Sequence, residues 1–264
     1  MKKIILLATI AIAFANCSKS DDNNNQSDYK LNADGRTLVQ WTNSTISTID
    51  MQADGSLQKV ETIGNKAFAD NKALTSITFP NNLKYIGEEA FLRANLNKEV
   101  NFNRSGEVNF GEGAFSYSNI TKIYLPFTKG ISAKMFANCS ALTDVRFKNV
   151  GKIGHHAFFY CTELQIMDLG NAYLEEIDAA AFAQCSNLRE VILPSSLKKM
   201  GESVFSNCNA LQSVTINAET PPTLGINTFF QVNSIPRIYV PSNSVNAYRT
   251  AAGWKEFADK IVGK

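Results

Sequence analysis

Between residues 63 and 242 the large apolar residues recur in a frame far longer than a helical or strand period. Phenylalanine marks it, at Phe68, Phe91, Phe115, Phe136, Phe158, Phe182, Phe205 and Phe229, in steps of 21 to 24 residues. Five residues before each mark stands a large apolar residue: Ile63, Ile86, Phe110, Ile131, Ile153, Ile177, Met200 or Leu224. Four before it stands glycine, replaced by Ser132 and Asp178 in two units. A turn residue, a few small residues and an apolar anchor predict a short helical or 3-10 segment, too short to persist without packing. After the mark comes Leu-x-x-Val-x-Ile-Pro, whose period-two alternation predicts a strand. Its inward pairs include Ile77/Phe79, Val145/Phe147, Met167/Leu169, Val191/Leu193, Val214/Ile216 and Ile238/Val240. Pro80, Pro126, Pro194 and Pro241 close several of these strands, where a missing donor does least harm.

A unit of this length cannot bury a core alone, so the pattern predicts coils stacked on one another into a solenoid. At a strand spacing of about 4.8 Å, eight rungs extend roughly 40 Å, and residues at equal offsets form columns. Leu38 to Ile63, with Trp41 and the partial unit Ile46-x-x-Ile49-x-Met51, reads as a degenerate capping rung. The unit after Phe91 is irregular, with Leu96 one place early and an extra VNFNRSGEVNF before Gly111.

Cys139, Cys161, Cys185 and Cys208 share one offset, three residues after the mark. Elsewhere that offset holds Asn71, Ala94, Ser118 and Val232, so the position selects size more than thiol chemistry. Buried free thiols are expected there, with rung-to-rung disulfides as the alternative in an oxidising compartment. A metal site lacks partners, since no C-x2-C spacing occurs and the only histidines are the neighbours His155 and His156.

The first residues stand apart from the repeat. Lys2 and Lys3 precede an apolar run from Ile4 to Phe14, too short to span a bilayer comfortably, which reads as the core of an export signal. Cys17 follows, then the polar SKSDDNNNQSD. This arrangement resembles a bacterial lipoprotein signal, which implies acylation of Cys17 and an outer-membrane anchor. Cleavage after Ala13-Phe14-Ala15, releasing a secreted protein, is the alternative. The expected organisation is a signal over 1–16, a disordered tether over 17–28, an N-terminal cap over 29–62, repeats over 63–242 and a C-terminal helical cap over 243–264.

The repeated I-G-x-x-A-F-x-x-C-x-x-L-x-x-V-x-I-P resembles the BspA-type leucine-rich repeat of bacterial surface proteins. Ile153 to Leu169 and Ile177 to Pro194 carry the likeness most fully. The ending from Tyr239 to Ile261 resembles the family's terminal cap, with Val245, Tyr248, Trp254, Phe257 and Ile261 as its apolar face. The resemblance implies an α/β repeat solenoid: a right-handed leucine-rich-repeat superhelix with parallel β-ladders and short helical or 3-10 segments. It also implies an adhesin-like, surface-exposed lipoprotein with a host matrix or neighbouring-cell protein or glycoprotein as partner. A structural or accessory role in an envelope complex, one that handles glycans, is the second expectation.

Composition adds exclusions. Lys and Arg total 26 against 24 Asp and Glu, with no basic run, which argues against nucleic-acid binding. No phosphate loop, nucleophile elbow, HExxH or calcium-loop pattern occurs, and no cofactor or metal is expected. Glu88-Glu89 and Glu175-Glu176 read as solvated charges. A non-enzymatic monomer is therefore expected, binding through the outward positions of its strands. Among these Tyr124, Arg146, Ile166, Ile192, Arg237 and Tyr239 are the candidate contact residues, because aromatics and arginine dominate binding hot spots and outward isoleucines are unusual.

Overall fold

The Val-x-Ile alternation forms strands because each inward side chain meets the same residue of the next rung. The computed structural model describes residues 27–102, 106–147 and 149–264. The expected export signal over 1–16, Cys17 and the polar residues up to 26 lie outside the described residues.

Two parallel ladders run the length of the molecule. Ladder A consists of the two-residue strands just before the glycine: Thr62–Ile63, Tyr85–Ile86 and Asn109–Phe110, then Gly130–Ile131, Lys152–Ile153, Glu176–Ile177, Lys199–Met200 and Thr223–Leu224. Ladder B begins with Thr48–Asp50 paired to Ser76–Thr78, so the partial unit at Ile49 is a rung. Its next segment is Val100–Asn101, Lys122–Tyr124 and Asp144–Arg146. Its last is Ile166–Asp168, Glu190–Leu193, Ser213–Ile216, Arg237–Val240 and Ile261–Gly263. Register is kept without slippage, as in Val191 opposite Val214 opposite Ile238.

The arc carrying each phenylalanine is a run of turns, and helical pieces are confined to the ends of the described chain, at 57–59 and 242–260. Fifteen non-glycine residues among those described have φ between 51 and 66°, each two places before or after a register phenylalanine. Gly113 takes the remaining place. Alternate amides bond outward to the next rung, as Phe68 N donates to Ala90 O at 2.8 Å. The others close tight turns, as Ala69 N donates to Lys66 O at 3.0 Å. A helix would spend every amide within its own segment; this arc shares half of them with its neighbour. A left-handed residue costs about 1–2 kcal/mol, which the inter-rung bond and the buried ring must offset.

The rings form the predicted column. From Phe68 to Phe229 successive centroids lie 4.9–5.9 Å apart with interplanar angles of 1–20°. Offset stacking at this distance adds to the burial of each ring. Trp41, stacked on both Tyr29 and Phe68, continues it at one end, where Tyr29–Leu31 folds antiparallel onto Thr37–Trp41. At the other, Phe257 meets Phe229 edge-on at 5.2 Å. There Tyr248 and Trp254 are fully buried, and their polar ends donate to the carbonyls of Ala218 and Pro222 at 2.8 and 2.7 Å.

Beside the rings runs the cysteine column. Cys139, Cys161, Cys185 and Cys208 are all free and buried. Each thiol donates to the carbonyl of the phenylalanine one rung earlier, at 3.0–3.2 Å. Desolvation pushes all four upward, Cys139 and Cys208 to about 12.

Charges on the flank of ladder A pair from rung to rung. Glu175 and Glu176 accept from Lys198 and Lys199 at 2.6 and 2.5 Å, and Glu176 also meets Lys152 at 3.1 Å. The adjacent acids are therefore links between coils, at a spacing of one repeat.

Candidate interaction face

The strands of ladder B turn alternate residues outward, and exact register sorts these into two columns. One holds Ile166, Glu190, Ser213 and Arg237. The other holds Asp168, Ile192, Thr215, Tyr239 and Val262. Tyr124 and Arg146 are register partners in the neighbouring segment of the ladder. The six candidate residues thus fall into a pair and a group of four, with a seam in strand pairing between Asp144–Arg146 and Ile166–Asp168.

Within the pair, the Arg146 guanidinium lies 5.2 Å over the Tyr124 ring and meets Asp144 at 3.0 Å. Carboxylate and ring hold the arginine in one orientation, so little rotamer freedom remains to be lost on binding. Ile166 is 56% exposed, whereas Ile192 and Tyr239 are half-buried and Arg237 is exposed. Thr215, an outward position by alternation, is buried between its register neighbours Ile192 and Tyr239.

At the end of ladder B an open groove of about 740 Å³ is lined by Gln212, Ser213, Arg237, Tyr239, Lys260 and Val262, among others. Arg237, a phenol and hydroxyl and amide groups converge there, with Lys260 paired to Asp259 of the same lining at 3.4 Å. The partial signal for Lys260 and Val262 was Ile261, read as part of an apolar cap. The strand it starts, Ile261–Gly263, adds a final rung to ladder B.

The histidines do not form a catalytic unit. His155 and His156 meet edge-on at 5.7 Å, and His156 also packs against Phe159 at 5.3 Å. Burial lowers the pKa of His156, and its Nδ1 has no hydrogen-bond partner. Among the described residues no group of three or more His, Cys, Asp or Glu is placed to hold a metal ion, and no helix is long and apolar enough to cross a membrane.

Comparison with known proteins places this geometry. The BspA type leucine rich repeat region matches in six copies, over residues 41–165 and 152–252. No curated protein sequence matches the chain. Among solved structures, a leucine-rich repeat protein from Bacteroides ovatus is similar at 20% identity and a TM-score of 0.49, over 77% of this chain and 58% of that one. The chain thus spans little more than half of that relative. A leucine rich cell surface protein from Faecalibacterium prausnitzii is similar at 17% identity and a TM-score of 0.37, over 93% and 94% of the two chains. A leucine rich repeat protein from T. pallidum is similar at 18% identity and a TM-score of 0.33, over 89% and 94%. The repeat frame, the ladders and the family match agree: this chain belongs to the BspA-type leucine-rich-repeat proteins.

Proposed function

We propose that the protein is a non-enzymatic lipoprotein of the bacterial outer surface that holds a protein or glycoprotein partner on the outer face of ladder B. Leucine-rich-repeat solenoids serve as extended interaction surfaces, and this one offers a rigid, register-locked array. The observation that carries the reading is the arginine of Arg146, fixed over Tyr124 by Asp144 on an exposed strand. Arginine and tyrosine in a preset arrangement are the side chains that most often anchor a partner. Ile166 and the groove at Arg237 and Tyr239 extend the contact area along the ladder. Cys17, directly after the export signal, supplies the anchor.

The test is capture of the full mature chain on immobilised matrix glycoproteins, beside the variants Tyr124→Ala, Arg146→Ala and Arg237→Ala. Capture by the wild type, reduced at least tenfold in one variant, supports the face; capture unchanged in all three rejects it. Metabolic labelling with a fatty acid, present in the wild type and absent in Cys17→Ala, tests the anchor.

A further inference from the structure

The turn side of the solenoid carries a second surface, distinct from ladder B. Two places after each register phenylalanine the backbone is left-handed, and from the third rung onward that column reads Tyr117, Asn138, Tyr160, Gln184, Asn207 and Gln231. Asparagine is at home in this conformation; a tyrosine gains nothing local from it and is strained there. Yet Tyr117 is 56% exposed and Tyr160 46%, so neither ring is held in place by burial. The frame imposes this backbone on every rung, so what sets these two positions apart is the exposed aromatic side chain itself.

The surroundings define what could lie on these rings. Positions 117–119, 138–140, 160–162, 184–186, 207–209 and 231–233 contain no Asp, Glu, Lys or Arg. The only charges in the left-handed column, Asp70 and Arg93, neutralise each other through a two-pronged pair at 2.6 and 2.8 Å. The result is a strip of uncharged positions six rungs long, roughly 24 Å from end to end at the strand spacing, with Arg93 at its start and Glu163 along its edge. Its spacing is rigid, because the backbone of each residue is tied to the next rung. Tyr117 N donates to Ala137 O at 2.8 Å, Asn138 N to Phe159 O at 2.7 Å and Tyr160 N to Ala183 O at 3.0 Å.

We propose that this ribbon binds a neutral, linear, β-linked glycan chain. A neutral ligand suits a strip whose own positions carry no charge. The apolar C–H face of a pyranose stacks on a phenol ring, while primary amides such as Asn138 and Gln184 donate and accept with ring hydroxyls. One rung advances about 4.8 Å, close to the advance of one sugar in an extended β-linked chain. Tyr117 and Tyr160 stand two rungs apart, so they would meet the same face of every second sugar, with Asn138 against the sugar between. The proposal involves a different surface and ligand from the ladder-face reading and does not depend on it.

The experiment is affinity electrophoresis and calorimetry of the full mature chain with cellohexaose, laminarihexaose, mannohexaose and, as a charged control, polygalacturonate. Binding of at least one neutral hexasaccharide is expected. Tyr117→Asn and Tyr160→Asn place at each position a residue the same column already uses, so the melting temperature should hold or rise. The double variant should weaken neutral-glycan binding at least tenfold, and Tyr124→Ala should leave it unchanged. Three results would overturn the proposal: no binding of any neutral hexasaccharide, equal binding by the double variant, or preference for the charged polymer.

Discussion

The thiol of Cys161 donates to the carbonyl oxygen of Phe136, one rung back, at 3.2 Å. The same link joins the other three cysteines to the phenylalanine before them, so each thiol occupies a carbonyl while filling the space beside two rings. These four thiols should therefore react with an aromatic disulfide reagent only as fast as the chain unfolds, and should titrate together in denaturant. Cys161→Ser, which puts a hydroxyl at the offset where an earlier rung has the buried Ser118, should be milder than Cys161→Leu. The larger side chain should lose about 1–3 kcal/mol by overpacking, measured by denaturant titration.

Alkali should expose the same column. Burial raises Cys139 and Cys208 from 9.0 to about 12, so the fold holds their protons where the unfolded chain releases them. The thiols' contribution is then constant below pH 9 and falls above it by up to about 1.4 kcal/mol per thiol per pH unit. The difference between wild type and the Cys139→Ala/Cys208→Ala variant, followed by denaturant midpoints from pH 8 to 11, isolates this from lysine titration. A difference that does not change with pH would contradict it.

Acid should act on the flank of ladder A with the opposite sign. Hydrogen bonds from Lys199 and Lys152 hold Glu176 below its ordinary 4.5, so the fold binds fewer protons than the unfolded chain in that range. The contribution is present above pH 4.5 and is lost as pH falls through the lowered value. Each exposed pair adds about 0–1 kcal/mol, less in high salt. Glu176→Gln should flatten the acid limb of the stability profile measured by thermal unfolding, most clearly at low ionic strength.

Close approach of coils predicts a contrast between two glycines. A Cβ on Gly201 would stand 2.6 Å from the amide nitrogen of Ala179 in the preceding rung, and backbone cannot step aside. Gly55 has nothing within 4 Å of that position. Gly201→Ala should cost about 1–3 kcal/mol, whereas Gly55→Ala should stay within about 0.5 kcal/mol, both by denaturant titration.

The columns were legible in the sequence because a repeat turns equal offsets into contact; Phe68 to Phe229 and Cys139 to Cys208 needed nothing more. The conformation of the arc was not. Left-handed positions are usually flagged by glycine, and here only Gly113 does so, while Lys134, Ala180 and Gln231 adopt it under the constraint of inter-rung bonds. Neither could the sequence give the burial of Thr215, which depends on what stands on either side in register. The six candidate residues were recognisable as outward by alternation alone. Their division by a seam, and the return of Lys260 and Val262 beside Arg237, are properties of the stacked chain.

Those seams have a consequence for how the molecule carries force. Ladder A is interrupted between Asn109–Phe110 and Gly130–Ile131, where ladder B pairs Lys122–Tyr124 with Asp144–Arg146. Ladder B is interrupted before Ile166–Asp168, where ladder A pairs Gly130–Ile131 with Lys152–Ile153. The joints are staggered as in brickwork, so no cross-section cuts both walls at once. Tension applied from end to end is borne at each joint by the wall that is still paired. Wherever strand pairing lapses in one wall, adjoining coils stay joined through the other.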